Sequence, residues 1–504
     1  MAEMRVVRSL DTTSSAMSGT GVATGNTRTL GSRQLAGQVT AITGPHPGYR
    51  ALAQGVRALL LDGRIPLHTR LPAERELATA LEVSRATVTA AYDLLREGGY
   101  ALSRRGAGTW TGLPEGAAPA SVAGYQAPDG VIDLAMAAPS APAELAAAFE
   151  LAGPELACHA TTNGYHPLGL PELRAAVAER YTRRGLPTLP EQILITTGAQ
   201  SAVSLVVNLL GRPGDRAVVE SPSYPNALDA VRHAGLRITP VPVTEDGWDV
   251  ELLECTLRQT APRLAYLIPD FQNPTGALMS TEQRTRLLRA ARATGTWLLI
   301  DETMAEMALE GPAPAPFVSL AHPGEAEQIV TVGSLSKTHW GGLRIGWVRA
   351  GSRLVNELAA LRIHVDLAPS LVDQVLAKTL LPGMDDVLRT RLPLLRERRD
   401  ALADSLSCHL PEWRWQTPVG GLSLWVDLGR PIAGALAQAA LAHGVNLQPG
   451  SRFAADAGTH EHRLRLPFVH EPERTQEAVR RLAATLDAGL PAVTGGQNRP
   501  HWVA

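Results

Sequence analysis

The sequence predicts a two-domain chain: an N-terminal winged helix-turn-helix followed by a larger α/β domain with a mostly parallel sheet. Three observations lead to this prediction. Short helical patterns meet at a tight turn near residue 82, and seven apolar runs of four residues follow, most of them separated by helical patterns. The chain has 504 residues, which is too long for one ordinary domain. Hydrophobic residues make up 45% and charged residues 19%, which excludes a wholly disordered chain.

Charge and residue counts limit which kinds of binding and chemistry the chain can support. The 47 basic and 49 acidic residues give a net charge of −2, so any basic surface for nucleic acid has to be local. Only Lys337 and Lys378 are lysines, which leaves two candidates for any lysine-dependent chemistry. The 3 cysteines are widely spaced without CxxC pairs, and no apolar run is long enough to cross a bilayer. We therefore expect a cytoplasmic protein without a membrane segment.

Composition also suggests the division of the chain. Residues 1–44 are rich in Ser, Thr, Gly and Ala without periodicity, and we expect a disordered arm there. Residues 45–112 form the first compact block, and the small-residue stretch 113–130 is interpreted as a linker. Residues 131–490 carry the α/β pattern, and 491–504 are expected to form a frayed tail.

The first block has the order of a winged helix-turn-helix. Apolar residues within 52–60 recur at helical spacing, and a second short helix is predicted after Pro72. Glu82 and Val83 form a turn, and Ser84 is a natural N-cap for a third helix. Residues 100–110 alternate around a glycine-rich tip, which predicts a two-stranded wing.

A helix that opens with Ser84, Arg85 and Thr87 can present its first turn to the major groove of double-stranded DNA. Residues 49–111 hold nine Arg against six acidic residues, a local balance of +3 that opposes the sign of the whole chain. The alternative is a small helical cap with a solvated basic face. The candidate DNA contacts are Arg75, Ser84, Arg85, Thr87, Thr89, Arg105 and Gly106.

The stretch GRIPLHTRLPAERELATALEVSRATVTAAYDLLREGGYALSRRGAGTW resembles the winged helix of GntR-type transcription regulators. The resemblance implies DNA binding, with the positions of all these candidates except Thr89 approaching the DNA. Ala73 stands where a serine cap is common, so a weakened helix start is expected there.

In the second domain, polar residues follow the apolar runs, which are 193–196, 217–220, 238–241, 265–268, 297–300, 329–332 and 345–348. Ligands of parallel sheets lie beyond the carboxyl ends of the strands. A helix start at Gly198, Ala199 and Gln200 can hold a phosphate with free amides, and Ser334, Ser336 and Arg344 can add donors to the same anion.

Four more residues complete a site for a phosphorylated aromatic aldehyde, which identifies pyridoxal 5'-phosphate as the expected cofactor. Lys337 can form an imine, Asp301 can pair with a protonated ring nitrogen, Asn273 can donate to the ring hydroxyl, and Tyr224 can stack on the ring. Each residue has an ordinary alternative when taken alone: a solvated lysine, a helix-capping aspartate or a simple NPTG turn. Their joint occurrence at successive strand ends favours the cofactor site.

The segments YHPLGLPELR, TTGAQ, SPSYPNA, QNPTG, DET, SLSK and GLRIGW occur in the order found in fold-type-I pyridoxal-phosphate aminotransferases, which region 131–490 resembles. The resemblance implies a small C-terminal α+β subdomain and a homodimer in which Tyr165 reaches the phosphate of the neighbouring subunit. It implies that Arg465 binds a substrate carboxylate, with Arg463 as a rival. A tyrosine is common two or three residues after the aspartate, but Thr303 and Met304 stand there.

The combination of both domains resembles MocR-type regulators, which implies a homodimeric transcription factor that senses an amine, an amino acid or the cofactor. Two alternatives remain: a working aminotransferase with an appended DNA-binding module, and a structural dimer with a vestigial pocket. His460 and His462 flank Glu461 without an evident third ligand, so we expect no metal site and interpret this segment as a solvated loop.

Overall fold

The computed structural model describes residues 28–104, 108–113 and 130–490. The N-terminal domain consists of β1 (Arg28–Thr29), α1 (Ser32–Thr43), α2 (Tyr49–Leu61), β2 (Thr69–Arg70), α3 (Glu74–Leu81), α4 (Arg85–Glu97), β3 (Ala101–Arg104) and β4 (Gly108–Thr111). Strands β3 and β4 pair antiparallel as the predicted wing. The winged helix-turn-helix fold is therefore confirmed.

Local chemistry explains the junction between α3 and α4. Glu82 ends α3 in the left-handed conformation with φ of 55°, which turns the chain sharply. The Ser84 side chain accepts a hydrogen bond from the Thr87 amide at 3.0 Å and so caps α4. The Tyr92 hydroxyl donates to the Pro72 carbonyl at 2.9 Å and ties α4 to the start of α3. Ala73 provides no side-chain cap for α3, as expected.

The predicted disordered arm over residues 1–44 is wrong from residue 28 onwards. Helix α1 buries Leu35, Ala36 and Val39 in the core of the N-terminal domain, and β1 pairs in parallel with β2. Three apolar residues on one helical face are enough to pack this segment, although small polar residues surround them. Residues 1–27, most of the predicted linker and the predicted tail lie outside the described residues.

The second domain places β6 to β13 in its large sheet, with helices on both sides. The elements of this region are α5 (Glu144–His159), α6 (Pro171–Arg183), β6 (Ile193–Thr196), α7 (Gly198–Leu210), β7 (Arg216–Ser221), α8 (Pro225–His233), β8 (Arg237–Thr244), β9 (Gly247–Trp248), α9 (Val250–Thr260), β10 (Leu264–Leu267), α10 (Thr281–Thr294), β11 (Trp297–Asp301), α11 (Pro323–Ala326), β12 (Ile329–Ser334), β13 (Gly346–Arg349), α12 (Ser352–Arg362) and α13 (Leu371–Leu380).

The order of the large sheet is β6-β13-β12-β11-β10-β7-β8-β9. Strands β7, β8, β10, β11 and β12 pair in parallel, whereas β13 runs antiparallel to both of its neighbours and β9 runs antiparallel to β8. Two large apolar clusters cover the two faces of the sheet. The expected mostly parallel sheet with buried faces is confirmed, and its carboxyl-terminal edge gathers the ends of β6, β10, β11 and β12.

A smaller α+β subdomain completes the fold with β5 (Ile132–Leu134), α14 (Met384–His409), β14 (Ser423–Asp427), α15 (Ala433–Ala442), β15 (Val445–Pro449), β16 (Arg463–Pro467) and α16 (Pro472–Asp487). Its sheet has the order β14-β16-β15-β5, so the strand that follows the predicted linker joins strands from the C-terminal end of the chain. Within the described ranges, none of the helices is long and apolar enough to span a membrane.

Candidate cofactor site and DNA-binding surface

A cavity of about 760 Å³ opens at the carboxyl-terminal edge of the large sheet. It is lined by most of the residues that the sequence nominated, namely Ala199, Gln200, Tyr224, Asn273, Asp301, Ser334, Ser336, Lys337 and Arg344. They come from separate strand ends, which a parallel sheet brings to one edge. The structure therefore brings these nine residues together at one edge of the sheet.

The start of α7 forms a tight cradle in this cavity. A Cβ atom on Gly346 would lie 2.6 Å from the Gly198 carbonyl carbon, and one on Gly198 would lie 2.6 Å from the Arg344 guanidinium. The Thr197 side chain does not cap α7, so the first amides of the helix remain available to an anion. The Ser334 hydroxyl donates to the Ser336 hydroxyl at 2.9 Å, and both residues line the cavity. Amides, hydroxyl groups and a guanidinium are the donors that a phosphate ester requires.

Lys337 is buried at the centre of the site, where its Nζ donates to the Ala137 carbonyl at 2.9 Å. Burial and the nearby Arg465 charge lower its pKa to about 7, although Asp301 opposes the shift. A substantial fraction of the amine is therefore neutral near neutral pH, and only the neutral amine is a nucleophile. Lys378, by contrast, forms an ion pair with Glu155.

Asp301 ends β11 and is held from two sides. Its Oδ1 accepts from the Thr303 amide at 2.9 Å, and its Oδ2 accepts from the Tyr266 hydroxyl at 2.7 Å. The sequence pattern did not indicate Tyr266, which lies in the apolar run of β10. The only sign of a role in the sequence was the hydroxyl group of this tyrosine, the one polar side-chain atom in an otherwise apolar strand.

A second buried network supports the turn that presents Asn273. The Gln272 side chain donates to Glu220 at 3.0 Å and accepts from the Thr275 amide at 3.0 Å. Glu220 also accepts from the Trp248 indole at 2.9 Å. Burial raises the pKa of Glu220 to about 7, although these hydrogen bonds favour its charged form.

The structure separates the two candidate carboxylate-binding arginines. Arg463 forms ion pairs with Glu245, Asp62 and Asp427. Arg465 is fully buried and donates to the Ala135 carbonyl, and its Nε and Nη1 have no hydrogen-bond partner among the described residues. Burial lowers the pKa of Arg465 to about 10, so it stays charged at neutral pH. Of the two, Arg465 is the arginine whose guanidinium keeps nitrogens without a partner among the described residues, although it does not itself line the cavity.

Four further positions bear on the cavity. Thr303 and Met304 line it where the resemblance had suggested a tyrosine, and Trp340 forms part of its wall. Tyr165 is 62% exposed and does not line the cavity of its own chain. This placement requires a second subunit if Tyr165 is to reach a phosphate.

The candidate DNA contacts lie around the start of α4. Arg85 is 63% exposed and forms a 3.3 Å ion pair with Glu74, which also accepts from the Thr89 hydroxyl. Ser84 and Arg75 are exposed, and Thr87 is partly exposed. The pair leaves most of the Arg85 side chain exposed to solvent. Arg105 and Gly106 lie outside the described residues.

The N-terminal domain docks on the smaller subdomain through the end of α2. The Asp62 carboxylate accepts from His462 Nε2 at 2.7 Å, and the Leu61 carbonyl accepts from the His460 amide at 2.7 Å. The predicted solvated loop at 460–462 is therefore wrong, because His460 is buried beside Trp425. In the part of the chain that the structure describes, no group of three His, Cys, Asp or Glu side chains could hold a metal ion.

Comparisons with known proteins agree with this architecture. Residues 130–482 match the family described as aminotransferase class I and II, and residues 48–110 match the bacterial regulatory proteins of the gntR family. The 2-aminoadipate transaminase of Thermus thermophilus is 34% identical over 66% of this chain and 83% of its own length.

Two further relatives cover different parts of the chain. The probable rhizopine catabolism regulatory protein MocR of Rhizobium meliloti is 31% identical over 81% of this chain and 87% of its own. The crystal structure of LysN, an α-aminoadipate aminotransferase from Thermus thermophilus complexed with N-(5'-phosphopyridoxyl)-L-leucine, shares 31% identity and covers 71% of this chain and 93% of that chain, with a TM-score of 0.65. The chain thus belongs to the aminotransferase class I and II family and carries a gntR-type DNA-binding domain at its N-terminal end.

Proposed function

We propose that this protein is a cytoplasmic, pyridoxal-phosphate-dependent transcription regulator that senses an amine or amino acid. The observation that carries the proposal is strand β16, which bears Arg465 behind the cavity and Arg463 at the junction with the DNA-binding domain. Residues two apart in a strand lie on the same face. An effector carboxylate that binds Arg465 therefore acts on the same strand that contacts Asp62 through Arg463.

The cavity provides the binding part of this function. Pyridoxal phosphate, when bound, supplies an aldehyde carbon that condenses with primary amines. The amides at Gly198 to Gln200, with Ser334, Ser336 and Arg344, would hold the phosphate. Asp301 would pair with the ring nitrogen, Asn273 would donate to the ring hydroxyl, Tyr224 would stack on the ring, and Lys337 would provide the amine that an effector amine replaces.

Packed rings connect Arg465 to the domain junction. The Arg465 guanidinium lies 5.0 Å from the Phe453 ring centroid, Phe453 packs edge-on against Trp425 at 5.8 Å, and Trp425 lies 6.0 Å from His460. His460 bonds to the end of α2. An effector can shift the DNA-binding domain only if it binds with different affinity to two arrangements of that domain on the smaller subdomain. The contacts from Arg465 to His460 are where such a difference in affinity can arise.

A homodimer is part of the proposal. Helix α5 packs against α13, and several large apolar side chains on or near α5, α12 and α13 are exposed, as is Tyr165. They are Phe149, Leu151, Ile363, Val365 and Val372, whose exposed fractions lie between 46% and 67%. Extended apolar patches of this kind mark protein interfaces. A second copy that covers the patch would also bring Tyr165 towards the neighbouring phosphate.

The proposal is tested with Lys337→Ala, and Lys378→Ala is the matched control because it removes the only other lysine. Purified full-length protein is supplied with pyridoxal phosphate, and visible absorbance and borohydride-trapped adducts are measured. Binding to the DNA upstream of its own gene is followed with and without a panel of amines and amino acids.

We expect coloured wild type and Lys378→Ala, with an adduct at position 337. Lys337→Ala should bind DNA but lose the visible band and the response to amines. An unchanged band or response in Lys337→Ala refutes the assignment. Multiple-turnover transamination at about 1 per second or faster, without sequence-specific DNA binding, would instead favour the enzyme.

A further inference from the structure

A phenol side chain lies behind the residue that holds the ring nitrogen. Tyr266 in β10 is fully buried, and its hydroxyl donates to Asp301 Oδ2 at 2.7 Å from the neighbouring strand. The Thr303 amide donates to the other carboxylate oxygen at 2.9 Å. Because each oxygen has a donor from the protein, the carboxylate cannot rotate without breaking a hydrogen bond.

The surroundings of Tyr266 keep it a donor. The titratable groups nearest to it are Asp301 on β11, Glu220 on β7 and Tyr224 after β7. Burial raises the pKa of Tyr266 well above its usual value, and the Asp301 charge raises it further. The phenol therefore stays protonated over the whole range in which the cofactor site works.

We propose that Tyr266 is a positioning residue that acts through Asp301, setting both the orientation and the effective charge of the carboxylate that faces the cofactor ring nitrogen. This inference rests on the cofactor site proposed above. A phenol that donates to a carboxylate draws negative charge away from the ring. Asp301 can then hold the ring nitrogen and still raise the pKa of the other groups around the ring less than a carboxylate without this hydrogen bond would.

The test is Tyr266→Phe, which removes the hydroxyl and keeps the ring. Tyr181→Phe is the matched control, because Tyr181 is also buried in this domain but its hydroxyl accepts from the Trp347 indole at 3.2 Å, outside the cavity. Cofactor-stripped full-length proteins are titrated with pyridoxal phosphate, and the visible absorbance of the loaded proteins is recorded against pH.

We expect Tyr266→Phe to bind the cofactor about tenfold more weakly, because the Asp301 carboxylate loses the hydrogen bond that fixes its orientation towards the ring nitrogen. The pH midpoint of its absorbance change should move upwards by about 0.5 to 1 unit, because more negative charge faces the ring. Tyr181→Phe should leave both quantities unchanged. A purely structural role would alter affinity without moving the midpoint.

A second variant places a fluorinated tyrosine at position 266. It keeps the shape of the side chain and makes it a stronger donor, so the midpoint should move downwards. Wild type that binds no cofactor refutes the proposed function itself. If wild type binds cofactor but both position-266 variants keep the wild-type midpoint, the role of Tyr266 alone is overturned. The same holds if their midpoint moves only as far as that of Tyr181→Phe.

Discussion

Replacing Asp62 by alanine should loosen the docking of the DNA-binding domain on the smaller subdomain. Asp62 ends α2, and its carboxylate accepts from His462 Nε2 at 2.7 Å and lies 3.7 Å from the Arg463 guanidinium. A backbone bond from His460 to Leu61 and a 3.2 Å bond from the Leu67 amide to Asp456 complete the contact. Asp62 therefore contacts both the His462 imidazole and the Arg463 guanidinium.

The magnitude follows from the pKa of Asp62. Burial would raise this pKa, but the hydrogen bond from His462 and the charges of His462 and Arg463 outweigh it and lower the pKa from 3.8 to about 2. Each unit corresponds to about 1.4 kcal/mol, which gives roughly 2 kcal/mol. Because the side chain is 26% exposed, we expect about 1 to 2 kcal/mol after solvent screening.

The direction of the Asp62 pKa shift sets the pH range in which the ion pair stabilises the docking. A lowered carboxyl pKa stabilises the docked arrangement fully above 3.8, and this contribution is lost as the pH falls towards 2. Hydrogen exchange of the His460 and Leu67 amides measures the docking directly, since both donate across the junction. At pH 7 their exchange in Asp62→Ala should be about 5 to 30 times faster.

The control for this experiment is Asp93→Ala, which removes an ion pair with Arg96 inside the DNA-binding domain. It should leave the junction amides as protected as in wild type, and the amides of α4 should be unaffected in Asp62→Ala. Equal protection of His460 and Leu67 in wild type and Asp62→Ala would show that the carboxylate does not hold the two domains together.

Two further predictions concern the buried acid and the DNA surface. Because burial raises the pKa of Glu220 from 4.5 to about 7, wild-type stability should fall as pH rises through that window. The loss is on the order of 3 kcal/mol. Glu220→Gln should reduce the slope of denaturant-measured stability across this window, whereas Glu251→Gln, which changes an exposed acid, should keep the wild-type slope; an unchanged slope in Glu220→Gln contradicts the assignment. Arg85→Ala should weaken specific DNA binding by about 1 to 3 kcal/mol and relax the sequence preference in fluorescence anisotropy. Arg353→Ala, an exposed arginine of the other domain, should not; an equal ratio of specific to scrambled DNA affinity in Arg85→Ala and wild type would remove Arg85 from base recognition.

The sequence by itself determined the element types and the chemical groups of the candidate site. Capping at Ser84 and the helical stripe of α2 depend on neighbours within a few residues, so local pattern was sufficient. Lys337, Asp301 and Asn273 could be nominated because parallel strands place their carboxyl ends at one edge, whatever the register. The arm was misjudged because the few apolar residues of α1 form a face only once a core exists to bury them.

Only the tertiary structure decided which of these groups have partners. Tyr266 reaches Asp301 because two strands pair in one register, and a shift by one residue would turn the phenol away. Asp62 meets His462 across 400 residues of sequence, which no periodicity reports. Arg463 is engaged in ion pairs at the junction, whereas two guanidinium nitrogens of Arg465 have no partner among the described residues. Hydrogen bonds and ion pairs depend on distances of a few ångströms, and these exist only after the chain has folded.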